Sequence, residues 1–260
     1  MDLGSRTPLL ESFKRGEASQ DVRLAAAQGG LAPRAVDQMD LLVMLHEDSD
    51  AEVVAAARRT VARLAPAAVA DVLARPDVSP EARAFFAERG IEPAAEATGN
   101  PDVPLIDTED VPESAVDESP VEAEREASTL QRIASMNVSK RIALAMKGTR
   151  EERGILIRDP NRIVTSAVLS SPKMSDSEIA SIARMANVSD DVLRTICNNR
   201  GWLKNYSVAL SLTKNPKTPV ALSMNLLNRL SEKDLRMLST DRNVPDALRV
   251  CARKKIVFDK

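Results

Sequence analysis

His46 is the only histidine of this 260-residue chain, and Cys197 and Cys251 are its only thiols. A triad of nucleophile, base and orienting acid would have to be built on His46, and the sequence holds no G-x-S-x-G, H-E-x-x-H, P-loop or G-x-G-x-x-G stretch. The two cysteines form neither a disulfide framework nor a metal-ligand spacing. Both lie on apolar stripes, where a thiol acts as a small filler. The reading is therefore non-enzymatic, with no cofactor and no metal.

Cations and aromatics are the remaining candidates. Lys173 in "SPKMSDSEI" (171–179) falls on Lys217 in "NPKTPVAL" (215–222), and Arg200 falls on Arg242 when "VSDDVLRTICNNRGW" (188–202) is set above "LSEKDLRMLSTDRNV" (230–244). A regular stack would bring equivalent positions to one edge, so Lys173, Arg200, Lys217 and Arg242 are candidates for a basic ladder. Two readings stay open. Cations near helix C-termini stabilise those helices by about 0.3–1 kcal/mol each, or the ladder receives an acidic protein partner. Trp202 and Tyr206 stand four residues apart and share a face if one helix includes both; they serve either as core packing or as a stacking surface.

Charge is distributed unevenly. Residues 1–92 carry 11 Lys/Arg against 15 Asp/Glu, residues 93–128 carry 1 against 11, and residues 129–260 carry 24 against 12. The balances are −4, −10 and +12, which recover the net charge of −2. The acidic middle, with its prolines and no sustained apolar period, predicts an extended, disordered linker. It serves either as a plain solubilising tether or as an acidic tail that competes for the basic half.

These residues need elements to hold them. Aromatics make up only 2% of the chain, so Ala, Leu, Ile and Val must fill the core, which suits closely stacked helices. Thr149 with Glu152 and Ser175 with Glu178 are capping boxes, Ser231 with Asp234 is a weaker one, and Asp50 and Ser79 read as N-caps. Gly90 reads as a helix stop. Pro216 and Pro219 mark a boundary between two helices, because proline ends one helix and suits the first turn of the next. Leu193/Leu235 and Ile196/Leu238 repeat at an offset of 42 residues, in the range of helical-repeat units with two helices each. The prediction is all-α: two short α-solenoids, at 1–92 and 129–260, joined by the acidic linker 93–128. No run of about 18 apolar residues occurs, and "MDLGSRTPLL" lacks a cationic-then-apolar leader. A soluble, cytoplasmic protein without membrane insertion is expected.

"DSDAEVVAAARRTVARL" (48–64) resembles the second helix of HEAT-like repeats, and "NPKTPVALSMNLL" with "DRNVPDALRVCA" resembles the leucine-rich repeat variant, a helical solenoid of bacteria. The resemblance implies an α-solenoid with a partner-binding surface. The variant family is associated with a cysteine-ligated iron–sulfur module; this two-cysteine chain departs from that pattern, and no cluster is carried over. The C-terminal half also resembles bacterial two-part helical-repeat proteins, a likeness that brings no function with it. Together these features lead to the expectation of a protein–protein adaptor or scaffold. The alternative is nucleic-acid binding through the basic half, since Lys and Arg presented along a stack can contact phosphates. Partner identity and oligomeric state are not encoded in any motif.

Overall fold

Prolines and side-chain caps cut the chain into short helices. The computed structural model describes residues 7–32, 34–100, 103–106 and 129–258, and among these every regular element is helical. The chain divides into two compact units, Met1–Lys173 and Met174–Lys260.

The first unit begins with α1 (Pro8–Lys14), α2 (Gln20–Ala27), α3 (Ala35–Leu45), α4 (Ala51–Arg63), α5 (Pro66–Leu73) and α6 (Pro80–Ala87). It continues through α7 (129–134), α8 (Val138–Lys147), α9 (Arg150–Leu156) and α10 (Arg162–Ser170). The expected caps are in place. Asp50 accepts from the Glu52 amide, and Ser79 accepts from the Ala82 amide with Pro80 in the first turn. Thr149 and Glu152 form a reciprocal capping box. Gly90 ends α6 at φ 74°, a left-handed conformation that a side chain disfavours. Met39, Leu42, Val69, Leu73, Ala82 and Phe86 form a buried cluster shared by α3, α5 and α6.

Sequence reading closes the first domain at residue 92, whereas this compact unit runs to Lys173. The cause is visible at α1 and α2, whose buried faces pack on later helices, α1 on α10 and α2 on α8. The Leu9 amide donates to Ser170 Oγ at 3.0 Å, and Ser12 Oγ donates to Ser166 Oγ at 3.0 Å.

Part of the segment expected as a tether, 93 to 128, is described. Its first part is held on the unit: the Ala94 amide donates to the Ala70 carbonyl at 2.9 Å, and Asp71 accepts from the Thr98 and Gly99 amides. Leu105 and Ile106 then pack against the α3/α5/α6 cluster. The side chain of Gln38, 1% exposed, clamps Ile106 as a neighbouring strand would. Its Oε1 accepts from the Ile106 amide at 2.9 Å, and its Nε2 donates to the Ile106 carbonyl at 3.0 Å and the Gly29 carbonyl at 2.7 Å. Gly29 is required there. Its φ is 89°, and a Cβ would stand 3.3 Å from Gln38 Nε2 and 3.4 Å from Ile106 Cβ. The rest of the linker expectation, at 101–102 and 107–128, lies outside the described residues.

The second unit comprises α11 (Asp176–Arg184), α12 (Asp190–Asn198), α13 (Arg200–Leu203), α14 (Tyr206–Lys214), α15 (Val220–Leu226), a 3-10 turn (Leu227–Arg229), α16 (Glu232–Thr240) and α17 (Asp246–Phe258). Ser175, just ahead of the unit's first helix, accepts from the Glu178 amide, and Ser231 accepts from the Asp234 amide. Leu193 and Leu235, the predicted equivalents, are 0% and 2% exposed. The turn at "NPKTP" (215–219) answers the paired prolines: Asn215 is buried, and its Nδ2 donates to the carbonyls of Ala183 at 2.8 Å and Met185 at 2.9 Å. Its Oδ1 accepts from the Lys217 amide at 3.0 Å. The end of α11 is thereby stapled to the α14–α15 turn, satisfying carbonyls that a helix end otherwise leaves unpaired.

Candidate functional site

Two helix faces with the same four-residue pattern line an open groove of about 780 Å³ in the first unit. On α3 the groove residues are Asp40, Val43, Met44 and Leu45, with Glu47 just past its C-cap; on α6 they are Glu81, Ala84 and Phe85, with Glu88 as the C-cap. Asp40, Val43 and Met44, like Glu81, Ala84 and Phe85, have the i, i+3, i+4 spacing of one helical face, and Glu47 and Glu88 follow at i+7 where each helix ends, so acids flank apolar groups in both sets. Leu10 and Phe13 of α1 add to the apolar lining, and Lys14 stands beside them.

Alignment of the two stripes follows from one hydroxyl. Ser79 Oγ accepts from the Ala82 amide at 3.1 Å as the cap of α6 and donates to Asp40 Oδ1 of α3 at 2.5 Å. Phe85 is held on its far side. Its ring meets His46 edge-on at 4.9 Å between centroids and Phe86 at 5.1 Å, and the Arg89 guanidinium lies 3.4 Å from its centroid. The floor is therefore anchored by aromatic and cation–π packing.

The electrostatics of the lining are acidic. Asp40, Glu47, Asp48, Glu81 and Glu88 face Lys14 and Arg23, and Arg23 is committed to Asp48 at 2.9 Å. Glu47 follows the C-cap His46, and Glu88 is itself the C-cap of α6. A carboxylate at a helix C-terminus opposes the macrodipole by about 0.3–1 kcal/mol, so these two acids are placed against helix stability.

His46 supports the Phe85 ring. Burial first, then the nearby Arg89 and Arg58, push its pKa below the usual imidazole value. Its Nε2 lies 3.2 Å from Arg89 Nη2, an arrangement in which the imidazole is the acceptor. Cys197 is buried, and burial pushes its thiol up to about 11, away from nucleophilic use. Cys251 is half-buried beside the α16–α17 core. Among the described residues no group of three His, Cys, Asp or Glu is arranged to hold a metal ion. No described helix is long and apolar enough to cross a membrane.

The four ladder cations fall in different units. Lys173 closes the first unit, exposed, with its Nζ donating to the Lys147 carbonyl at the end of α8 at 3.0 Å, the helix-end role that one reading assigned it. Arg200, Lys217 and Arg242 belong to the second unit and are exposed. Arg200 opens α13, whereas its equivalent Arg242 sits in the turn after α16.

Trp202 and Tyr206 do not share a helix. Trp202 is half-buried in α13 and Tyr206 opens α14, with Asn205 capping between them. Tyr206 is 42% exposed, and its hydroxyl accepts from the Ser231 amide at 3.0 Å while donating to Asp234. That hydrogen bond, followed by the one from Ser231, lowers the Asp234 pKa and ties α14 to the start of α16. The groove carries no motif that sequence reading singled out. Its signal was the repeated acid–apolar–apolar–acid spacing at 40–47 and 81–88, which periodicity alone does not separate from an ordinary solvated face. A scan against protein-family models, a search of curated proteins and a search of solved structures each found no match to this chain.

Proposed function

We propose that the chain is a non-enzymatic adaptor, built from HEAT-like helical repeats, that holds a segment of a protein partner in the groove between α1, α3 and α6. The observation that carries this reading is the groove itself: an open channel with an apolar floor, flanked by two parallel-patterned helix faces. Helix-lined grooves with apolar floors and charged rims bind amphipathic segments, with the apolar anchors supplying affinity and the rim supplying register. Ala84 lies exposed between the rim acids, so a larger side chain there fills the channel without disturbing the core. A photo-cross-linker at Ala84 of the full chain should retrieve a partner, and Ala84→Trp should abolish binding of that purified partner while leaving the melting curve unchanged. Equal binding by Ala84→Trp would sink the reading.

A second surface is favoured by the exposure of Arg200, Lys217 and Arg242 in the second unit, which make no side-chain hydrogen bond or ion pair among the described residues. They support an acidic protein partner first and a nucleic-acid phosphate backbone second. Changing all three to Glu should leave melting nearly unchanged, since exposed charges contribute little to a fold, and should remove any salt-dependent binding to random duplex DNA. DNA binding that survives the triple change would exclude these cations.

A further inference from the structure

The groove's rim is acidic at both ends of both lining stripes, which is more than a generic docking channel requires. Asp40 and Glu47 bracket the α3 stripe, and Glu81 and Glu88 bracket the α6 stripe. Acids seven residues apart on a helix are about 10 Å apart along its axis. The apolar groups sit between them, Val43 and Met44 on one wall and Ala84 and Phe85 on the other. Glu47 and Glu88 stand beside the C-terminal carbonyls of α3 and α6, so each end combines a carboxylate with the negative pole of a helix. An acidic segment would meet repulsion at Glu47, Glu81 and Glu88, and a neutral apolar one would desolvate those carboxylates.

We infer that the occupant is a basic amphipathic helix of a partner protein, with adjacent apolar anchors flanked by Lys or Arg about two turns apart. The inference rests on the adaptor reading and deepens it by naming the partner's chemistry. The anchors of such a helix reach the Val43, Met44, Ala84 and Phe85 floor, and its cations reach the acid pairs at either end. Lys14 opposes this pattern at one point on α1, so the incoming cations are favoured on the α3 and α6 sides.

Three fluorescent peptides of about 18 residues test it: amphipathic Lys/Leu, Gln/Leu and Glu/Leu helices of identical apolar pattern. The full chain should bind the Lys/Leu peptide at least about tenfold more tightly than the other two, with affinity falling as salt rises. Glu47→Lys, Glu81→Lys and Glu88→Lys together should reduce that affinity by about tenfold or more, while the same reversal at Glu52, Glu92 and Glu96, exposed and outside the groove lining, should not. The corresponding Gln triple, which keeps side-chain size, should give an intermediate loss and guards against misfolding of the Lys triple. Equal loss in both Lys triples overturns the inference, since binding would then follow net charge and not the groove. Equal binding of the Gln/Leu and Lys/Leu peptides, blocked by Ala84→Trp, overturns basic recognition but leaves the adaptor reading standing. If no peptide binds, and the partner cross-linked from Ala84 binds regardless of Ala84→Trp, both fall. A concentration-dependent dimer that Ala84→Trp dissolves would place a second copy in the groove and would also overturn the inference.

Discussion

Asp37 on α3 is a carboxyl group with little water around it: it is 6% exposed, and burial raises its pKa to about 6 from 3.8. Arg34 opposes that rise, Asp40 and Asp77 reinforce it, and Thr7 Oγ1 donates to Asp37 at 3.4 Å. The folded chain therefore keeps this proton where the unfolded chain has released it. The group's stabilising contribution is fully present below the unfolded pKa of 3.8 and is lost as pH rises through about 6. A shift of this size corresponds to about 3 kcal/mol between the two limits. Asp37→Asn cannot ionise, so it should be more stable than the wild type at pH 7 and should lose that advantage toward pH 4. Denaturant melts across that range check it; a wild-type-to-variant difference that does not change with pH would show that folding leaves the Asp37 pKa unshifted. Nothing in the sequence around "AVDQMDLLVML" marks Asp37 as buried. It sits beside Asp40 in the chain pattern, and only packing separates one acid into the core and the other onto the groove.

At the scale of elements, caps were legible and the ties between elements were not. Thr149, Ser175, Ser231, Asp50 and Ser79 all accept the backbone amides that their positions implied, because a cap is a local device spanning three or four residues. Asn215 is different. It reads locally as a turn residue before Pro216, while its amide reaches back to Ala183 and Met185, a contact about 30 residues away in sequence. Tyr206 behaves likewise, since the residues that fix its hydroxyl belong to α16. Asn215→Ala would leave the buried Ala183 carbonyl and the half-buried Met185 carbonyl short of a donor and should cost the second unit about 1–3 kcal/mol. Asn215→Asp should cost a similar amount, because a carboxylate cannot donate to those carbonyls. Gly148, between α8 and α9, is a local constraint by contrast: a Cβ there would lie 2.4 Å from the Leu144 carbonyl and 2.6 Å from Glu152 Oε2. Melting of the isolated substitutions by circular dichroism is the measurement, and an Asn215→Ala variant as stable as the wild type would mean that other groups satisfy the end of α11.

The molecule as a whole divides where charge and composition do not. Composition changes abruptly at the acidic stretch, and that change suggests a domain boundary near residue 92; packing instead carries the first unit across to Lys173. The reason is the amphipathic faces of α1 and α2, which are too short to be stable alone and find their partners in α10 and α8. The strap at 103–106 adds to this, with Gln38 and Gly29 shaped to receive Ile106. A fragment spanning 1–173 should therefore melt in one cooperative transition, whereas 1–92 should lose cooperativity and helix content, since Leu9, Val22 and the strap-facing side of α3 would be left exposed to water. Fragment 174–260 has its own core around Leu227, Leu235, Leu238 and Leu248 and should fold without the first unit. Adding 129–173 in trans to 1–92 should restore part of the lost helicity, because α1 and α2 would recover the surfaces they pack on. If 1–92 alone melts as sharply and at the same temperature as 1–173, the packing of α1 on α10 contributes nothing to the unit, and the boundary suggested by charge is the physical one.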